Sequence, residues 1–430
     1  MNVADLKRII RDQEKEREAV LAGERIIERN VGVERLAGYL GFPKALAILG
    51  LRRSGKTLLS WLLMRGKKYG YINFDDETLY GIEAKDLNLV IRAFYELYGN
   101  LEYFVFDEVQ NVKGWELFVN RLVRTKKVIV TGSNSQLLSG ELATHLTGRH
   151  LDFVLFPFSF REFCVYRNID LDAIYAESYS TETSALMGKA IGEYVESGGI
   201  PEVYGHGRLV LKTLFGDIVA KDVMRRHNVR TGVLPSLAKY LVSNFSCEIT
   251  FNKLKNIFSI KKIQTIRNYV RFFENAYLVF VIERFSYKLK EQFIAPKKIY
   301  CIDTGIIRAL SFKASEDIGK LFENIVCIEL FRRKSYSDSE MEIYYWKNSR
   351  HEEVDFVLKH GHTVNGLIQV CYYLADGAKE RELRALVKAG RELKCANLLV
   401  ITSDETGEET VEGAKVRYVP LWKWLLEVEP

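Results

Sequence analysis

Eight consecutive residues near the start of the chain form a pattern that can hold phosphate groups. The run from Gly50 to Thr57 reads Gly-Leu-Arg-Arg-Ser-Gly-Lys-Thr, which fits G-x-x-x-x-G-K-T. Apolar residues before it (43–49) predict a buried strand, and those after it (58–64) predict a helix. Backbone N–H groups at the start of such a helix point towards a polyphosphate. We therefore expect a site for a nucleotide. Its residues are Gly50, Leu51, Arg52, Arg53, Ser54, Gly55, Lys56, Thr57 and Leu58.

A pair of acids at the end of a later apolar run can supply a metal ligand and a base for hydrolysis. The run ends in Asp107 and Glu108, at the carboxyl end of a predicted strand. One further predicted strand (69–74) separates it from the phosphate loop along the chain, a layout typical of nucleotide hydrolases with an additional catalytic glutamate. We expect Thr57 and Asp107 to hold Mg²⁺, the latter through water. Lys56 is expected to grip the β- and γ-phosphates, and Glu108 to orient or deprotonate the attacking water.

Two more polar positions complete the predicted catalytic set. Asn134 ends the next predicted strand and is expected to contact the γ-phosphate or the attacking water, with Ser133 and Thr131 as second choices. The alternative for Asn134 is a turn residue that caps the following helix. Arg149 follows a helix predicted at 136–146. It is expected to act as an arginine finger in the site of a neighbouring subunit, which implies a homo-oligomer. The alternative is an arginine that satisfies the dipole of the helix end.

Alternating strands and helices over residues 41–163 predict a parallel α/β sheet that positions these side chains, a P-loop NTPase core. Residues 1–40 predict a charged helical arm, mostly solvated or, alternatively, binding a partner or linking subunits. Residues 164–235 predict a small helical lid. In that lid Arg225 or Arg226 is a candidate phosphate sensor, and the alternative is a solvated helix face.

Residues 236–295 predict a winged helix-turn-helix. A short helix around residues 249–258 is followed by a turn and a longer helix over 263–275. The candidate nucleic-acid contacts are Lys262, Gln264, Thr265, Asn268, Arg271 and Lys288. Lys and Arg at these positions would contact phosphates with little sequence preference. The alternative is a module that contacts other proteins.

Six motifs follow one another between Gly50 and Glu202. They are Gly50–Thr57, Phe106–Gln110, Thr131–Asn134, Leu146–Arg149, Phe158–Phe163 and Gly198–Glu202. Together they resemble archaeal and bacterial ATPases of the AAA+ superfamily that carry an uncharacterised C-terminal domain, and the resemblance spans roughly residues 40–375. The resemblance implies ATP hydrolysis with Mg²⁺ and says little about the biological task.

Residues 296–430 return to an α/β pattern, whose order resembles the restriction-endonuclease-like fold. The active site of that fold uses a helix Glu, a strand Asp and then Glu-x-Lys on the next strand, with the carboxylates holding Mg²⁺. Glu323 and Asp355 match the first two positions. Gln369 and Cys371 stand where the resemblance requires Glu and Lys, so we expect a nuclease-like domain whose cleavage activity is degenerate.

Composition sets wider limits on function. The net charge of +6 is mild and allows, without requiring, an acidic partner such as nucleic acid. The six cysteines are scattered and contain no C-x-x-C pair, which argues against a disulfide framework or a zinc site and suits a reducing cytosol. No apolar run approaches the roughly 20 residues of a membrane helix, so no membrane partner is expected.

The sequence therefore predicts a cytoplasmic, Mg²⁺-dependent AAA+ ATPase that acts on or with DNA. One alternative is a slow, nucleotide-switched signalling or scaffold protein that contacts other proteins, and Glu108 argues against it. Another is an ATP-regulated, Mg²⁺-dependent nuclease, and Gln369 and Cys371 argue against that.

Overall fold

The computed structural model describes residues 1–23, 25–135, 149–176, 180–229, 232–311, 317–373 and 376–427. The helix predicted at 136–146 lies outside the described residues. The chain divides into two compact units, Met1–Phe156 and Pro157–Pro430. In the described part of the chain, no helix has both the length and the apolar character needed to span a bilayer.

Five parallel strands form the sheet of the first unit. They are β1 (Ala45–Leu49), β2 (Tyr69–Asn73), β3 (Tyr103–Asp107), β4 (Lys127–Gly132) and β5 (His150–Val154). Their order is β2-β3-β4-β1-β5, and every neighbouring pair is parallel. β4 lies between β1 and β3, so the carboxyl ends of these three strands meet at one edge of the sheet. The prediction of a parallel P-loop NTPase sheet is confirmed.

Five α-helices accompany this sheet in the described part of the first unit. They are α1 (Val3–Gly23), α2 (Val33–Tyr39), α3 (Lys56–Leu63), α4 (Leu87–Tyr98) and α5 (Trp115–Leu122). α1 packs on α4 and on β2 through one narrow stripe, as expected for a helix whose other faces are charged. The buried residues of that stripe are Leu6, Ile9, Ile10 and Gln13.

Gln13 fastens α1 to the end of β2. Its Oε1 accepts a hydrogen bond from the backbone N–H of Asn73 at 2.8 Å, and its Nε2 donates to the backbone carbonyl of Asn73 at 3.1 Å. Nε2 also donates to Oδ2 of Asp76 at 2.9 Å. A single side chain thus satisfies both polar groups of a backbone position at the sheet edge, where unpaired groups are costly. The helix predicted as a charged arm is therefore docked on the core of its own unit.

Nine strands form the sheet of the second unit. They are β6 (Cys247–Ile249), β7 (Val279–Arg284), β8 (Lys297–Cys301), β9 (Met341–Lys347), β10 (Glu353–His360), β11 (Thr363–Val370), β12 (Leu398–Thr402), β13 (Gly407–Val411) and β14 (Ala414–Pro420). Their order is β13-β14-β12-β11-β10-β9-β7-β8-β6, with parallel and antiparallel pairs. β7 pairs with β8 antiparallel and with β9 parallel. The border predicted between residues 295 and 296 therefore runs through one continuous sheet.

The second unit also contains the helices predicted for the lid, the helix-turn-helix and the C-terminal domain. They are α6 (Phe160–Tyr166), α7 (Leu171–Ala176), α8 (Thr181–Ser197), α9 (Pro201–His206), α10 (Leu209–Asp217), α11 (Val233–Ser243), α12 (Phe251–Ile257), α13 (Ile263–Asn275), α14 (Leu289–Ile294), α15 (Thr304–Leu310), α16 (Ile318–Tyr336), α17 (Asp376–Leu393) and α18 (Leu421–Leu426). A π-helical stretch, Ile218–Arg225, continues α10.

The helix-turn-helix is present as α12 and α13, but a separate winged-helix domain is not confirmed. Thr250 caps α12 by accepting a hydrogen bond from the N–H of Lys253, as its position before the helix predicts. The strands that would frame the wing, β7 and β8, belong to the nine-stranded sheet. Between them the chain forms the short helix α14 instead of an open wing loop.

Replacing Gln13 by Ala tests how α1 is held. The variant leaves both backbone groups of Asn73 without the Gln13 partner, so we expect the docking of α1 to weaken by about 1–3 kcal/mol. The measurement is hydrogen exchange of the peptides that cover α1 and β2. Glu16→Ala, an exposed position on the same helix, is the control and should change stability by less than about 0.5 kcal/mol. Equal protection in the Gln13 and Glu16 variants would show that the apolar stripe alone holds the helix.

Candidate nucleotide site

The phosphate loop joins the end of β1 to the start of α3, and glycine is required at two of its positions. Gly50 has a φ of 138°, and a Cβ atom there would lie 2.2 Å from the carbonyl oxygen of Leu155. Gly55 has a φ of 93° and directly precedes α3. Both conformations are in the region that residues with a side chain rarely adopt. The loop therefore has the strand-loop-helix setting that its sequence predicts.

Arg29, a buried residue that the sequence analysis did not predict, forms hydrogen bonds that hold the phosphate loop in place. The guanidinium of Arg29 donates from Nη1 to the carbonyl of Ser54 at 2.8 Å and from Nη2 to the carbonyl of Phe156 at 2.7 Å. Only 6% of Arg29 is exposed. A planar guanidinium holds two acceptors in a fixed relation, so Arg29 ties the loop to the segment after β5. No local pattern around residue 29 marks this role, because both partners are distant in sequence.

The carboxylate of Asp107 joins three elements of the sheet edge. Its Oδ2 accepts hydrogen bonds from the Thr57 hydroxyl at 2.8 Å and from the Tyr71 hydroxyl at 2.9 Å. Its Oδ1 accepts a hydrogen bond from the Thr131 hydroxyl. The two residues predicted to hold Mg²⁺, Thr57 and Asp107, are therefore in direct contact. The contact of Tyr71 with Asp107 was not predicted, although Tyr71 belongs to β2, the strand that pairs with β3.

Glu108 follows Asp107 in a left-handed backbone conformation, with a φ of 49°, that turns its side chain away from the strand direction. Its Oε1 lies 3.8 Å from Nζ of Lys56, and Oε2 accepts a hydrogen bond from the side chain of Gln110. Its backbone N–H donates to the Thr131 hydroxyl at 3.0 Å. Burial raises the pKa of Glu108, while the nearby Lys56 ammonium acts in the opposite direction. The acid thus lies beside the lysine of the phosphate loop.

Asn134 and Arg149 occupy different parts of the sheet. Asn134 is buried just beyond the end of β4, at the edge where the loop lies. Arg149 lies at the opposite edge, since its carbonyl accepts a hydrogen bond from the N–H of Ala45 at the start of β1. Its guanidinium donates to Asn120 at 3.0 Å. The length of β1, about 16 Å, separates it from the loop of its own chain, so a contact with a nucleotide would require the loop of a neighbouring subunit.

Arg52, whose role the sequence left open, pairs with the end of β2. Its Nη1 lies 3.6 Å from Oδ2 of Asp75. The ion pair joins the variable part of the phosphate loop to the residues that follow Asn73. At this distance and partial exposure it contributes little to stability.

The candidate nucleic-acid residues line the exposed side of α13 and its surroundings. Lys262, Gln264, Arg271 and Lys288 are exposed, and Thr265 and Asn268 are half-buried. The side chains of Gln264 and Arg271 both donate to Oδ1 of Asn268, at 3.1 and 3.3 Å. From Lys253 to Arg271 the chain has six basic residues and no acidic one. This stretch of the chain is therefore positively charged, whereas Lys288 is paired with Glu291, 3.2 Å away.

The residues of the predicted degenerate nuclease site are brought together, with an unpredicted lysine among them. Nζ of Lys298 lies 2.9 Å from Glu323 and 3.0 Å from Asp355. Burial by itself lowers the pKa of Lys298, but the neighbouring carboxylates outweigh it and hold the pKa well above the ordinary value. Gln369 accepts a hydrogen bond from the Asp355 N–H at 3.2 Å. Burial raises the pKa of Cys371, so its thiol stays neutral.

Metal-binding groups are sparse elsewhere in the described residues. Within the ranges that the structure describes, no cluster of three or more His, Cys, Asp or Glu side chains could hold a metal ion. A Mg²⁺ site that relies on one hydroxyl, one carboxylate and substrate phosphates does not need such a cluster.

Replacing Tyr71 by Phe tests whether its hydroxyl positions Asp107. The ring stays in place while one hydrogen bond to Oδ2 is lost, so Asp107 becomes freer to turn away from Thr57. We expect the Mg²⁺ concentration for half-maximal ATP turnover to rise about tenfold, with little change in nucleotide affinity without metal. Tyr103→Phe, at the other end of β3 from Asp107, is the control. A lower turnover at saturating Mg²⁺, with an unchanged metal requirement, would contradict the positioning role.

Comparison with known proteins places this site in a family. A model described as an AAA domain matches residues 43–164, and two domains of unknown function, DUF8612 and DUF4143, match residues 188–317 and 318–424. The chain is 34% identical over 424 residues to the uncharacterized protein MJ1544 of Methanocaldococcus jannaschii, covering 94% of this chain and 91% of that protein. It is 28% identical over 417 residues to an uncharacterized protein of Haemophilus influenzae, covering 92% of this chain and 98% of that protein.

Solved structures with similar folds are more distant. The Walker-type ATPase PABY2304 of Pyrococcus abyssi has 14% identity and a TM-score of 0.44, covering 66% of this chain and 96% of that chain. The ORC1 protein of Aeropyrum pernix, solved in complex with DNA, has 13% identity and a TM-score of 0.30, covering 66% of this chain and 92% of that chain. Similarity at this distance carries no argument about function. The identity to MJ1544 over nearly the whole of both chains does establish kinship: the protein belongs to the same family as MJ1544 and carries an AAA-type ATPase domain followed by two domains of unknown function.

Proposed function

We propose that the protein binds ATP at the phosphate loop and hydrolyses it with Mg²⁺. The observation that carries this proposal is the group around Asp107, in which Thr57 from the loop helix and Thr131 from β4 donate to one carboxylate. Glu108, the next residue, lies 3.8 Å from Lys56. A metal ligand pair, a phosphate-binding lysine and a second acid thus meet at one end of the sheet.

The donor atoms fit Mg²⁺. The Thr57 hydroxyl and the Asp107 carboxylate are hard oxygen donors 2.8 Å apart, the kind of pair that holds this ion together with substrate phosphates. When bound, Mg²⁺ would neutralise charge on the β- and γ-phosphates. Tyr71 and Thr131 would keep Asp107 oriented towards Thr57 throughout.

Glu108 is the proposed general base. Its backbone conformation turns it out of the strand, and burial raises the pKa of its carboxyl, which improves a carboxylate as a proton acceptor near neutral pH. Gln110 holds one of its oxygens, and Lys56 lies near the other. We propose that Glu108 accepts the proton of the attacking water and that Asn134, buried beyond β4, contacts the γ-phosphate.

Arg149 is proposed to act only between subunits. It lies at the opposite edge of the sheet from its own loop, so it cannot stabilise charge on its own nucleotide. Delivered by a second copy of the chain, its guanidinium would meet the γ-phosphate. This assignment makes full turnover depend on a homo-oligomer.

Replacing Glu108 by Gln tests the hydrolysis mechanism. The amide keeps the size of the side chain but cannot accept the proton, so we expect kcat for ATP to fall by about 100-fold or more with ATP binding retained. Turnover and fluorescent-nucleotide binding are measured side by side. Glu102→Gln, exposed just before the same strand, is the control. Unchanged turnover in Glu108→Gln would remove Glu108 as the base, and absent turnover in a wild type that binds ATP would favour the nucleotide-switched scaffold.

We further propose that the ATPase acts on or with DNA through the exposed side of α13. Support comes from the six basic residues between Lys253 and Arg271 and from the absence of acids among them. Such a surface gains binding energy by releasing counterions from phosphates. The polar group around Asn268 offers donors and acceptors to base edges or phosphates.

The double variant Lys262→Ala/Arg271→Ala tests this surface. Losing two phosphate contacts should weaken binding of a mixed-sequence duplex about tenfold at low salt and lower the salt slope by about two. Fluorescence anisotropy over a salt series gives both quantities. Lys189→Ala, an exposed lysine on α8, is the matched charge control. Equal DNA affinity in the wild type and the double variant, or no binding at all at low salt, would contradict the assignment.

A further inference from the structure

The ammonium of Lys298 lies at the meeting point of three carboxylates. Its Nζ is 2.9 Å from Oε1 of Glu323, 3.0 Å from Oδ1 of Asp355 and 2.6 Å from Oε1 of Glu353. The lysine side chain is only 3% exposed. Lys298 belongs to β8, Glu323 to α16, and the other two acids to β10. One cation thus joins three elements that are far apart in sequence.

Further hydrogen bonds hold the carboxylate pair and Gln369. Oδ2 of Asp355 accepts a hydrogen bond from the N–H of Val370 at 3.0 Å, and Oε1 of Glu323 also accepts one from the Tyr300 hydroxyl at 2.7 Å. Gln369 accepts from the Asp355 N–H and donates to Glu382 at 2.8 Å. Both polar atoms of the Gln369 side chain therefore have hydrogen-bond partners, and its oxygen is directed at the Asp355 backbone and not at the carboxylates of Glu323 and Asp355.

The restriction-endonuclease-like resemblance implies Mg²⁺ between Glu323 and Asp355, and the residues present do not fit it. A Mg²⁺ ion binds oxygen at about 2.1 Å. A Mg²⁺ ion held by Glu323 and Asp355 would compete with the Lys298 ammonium for Oε1 of Glu323 and Oδ1 of Asp355, the two oxygens that the ammonium contacts. Two positive charges that contact the same oxygens in a buried place repel strongly. An ion and the ammonium would therefore compete for this place.

We propose that the Lys298 ammonium takes the place of a divalent metal ion between Glu323 and Asp355, so that the C-terminal domain is closed to metal by its own side chain. This position is a latent metal site. As they stand, the described carboxylates form no three-ligand metal site. Removing the ammonium while keeping the acids would leave the charges of Glu323, Glu353 and Asp355 uncompensated by Lys298, a charge that a hard divalent cation relieves.

The competing explanation is that Lys298 replaces the missing lysine of the Glu-x-Lys element in an active nuclease. A catalytic lysine of that kind must leave room for the metal between the two acids. Lys298 instead contacts both acids, and Glu353 as well, from within the space between them. The contacts favour Lys298 as a permanent counter-ion over Lys298 as a catalytic lysine, and metal binding distinguishes these two roles.

Mn²⁺ binding to the nucleotide-free full chain tests the proposal. Free Mn²⁺ is followed by electron paramagnetic resonance for wild type, Asp355→Asn, Lys298→Met and the double variant Lys298→Met/Asp355→Asn. The phosphate-loop site is common to all four. We expect wild type and Asp355→Asn to bind equally, Lys298→Met to gain about one Mn²⁺ per chain, and the double variant to lose that gain. Lys298→Arg, which keeps the charge, should gain none.

Three results would overturn the proposal. The first is a Mn²⁺ ion bound by wild type that Asp355→Asn removes, and the second is Mn²⁺-dependent cleavage of plasmid DNA by wild type that Asp355→Asn abolishes. The third is a folded Lys298→Met chain, checked by circular dichroism, that gains no Mn²⁺. If Lys298→Met does not fold, the comparison of wild type with Asp355→Asn and the plasmid assay still decide, because neither uses a Lys298 variant.

Discussion

The carboxylate of Asp107 is the constraint on which the nucleotide site depends. A buried carboxylate must be fully hydrogen-bonded or it destabilises the fold. Asp107 meets that requirement with hydroxyls from α3, β2 and β4, which are brought together only because β3 lies between β2 and β4. Because the buried Asp107 carboxylate needs hydrogen-bond donors, the order of the strands and the position of Thr57 depend on each other. The same hydroxyl of Thr131 also accepts from the N–H of Glu108, so the placement of the second acid follows from the first.

Much of this site could be predicted because its signals are local. The phosphate loop and the acids after β3 each occupy a few consecutive residues, and the glycine positions follow from backbone geometry alone. Arg29 and Tyr71 could not be predicted, since each acts on partners 25 or more residues away. Their residue types carry no motif, and only the folded sheet brings them to the loop and to Asp107. Sequence ranked Asn134 above Thr131 for the same reason, since the contact of Thr131 with both acids depends on the register of β3 and β4.

The second unit shows the limit of reading domains from patterns. The sequence predicts a border at 295/296, where the winged helix-turn-helix pattern ends and the α/β pattern returns. That border falls between strands of one sheet, because β7 pairs with β8 on one side and β9 on the other. The pairing of β7 with β9 joins segments about 60 residues apart. Such a contact cannot be predicted from the local residue pattern of either strand.

Two buried carboxylate groups in this chain answer the same electrostatic problem in opposite ways. Around Asp107 the side chains that donate to the carboxylate are neutral hydroxyls, and the Mg²⁺ ion that we propose for this site would balance the charge. Between Glu323 and Asp355 the balancing cation is Lys298, which is covalently part of the chain. Burying an ion pair costs desolvation but keeps it together permanently. A site that must bind and release substrate in each cycle needs the exchangeable arrangement, whereas a site with its own ammonium gains rigidity and gives up exchange. A cluster of buried acidic residues therefore does not by itself distinguish a catalytic centre from a structural one. The distinction lies in whether the balancing cation is exchangeable or belongs to the chain.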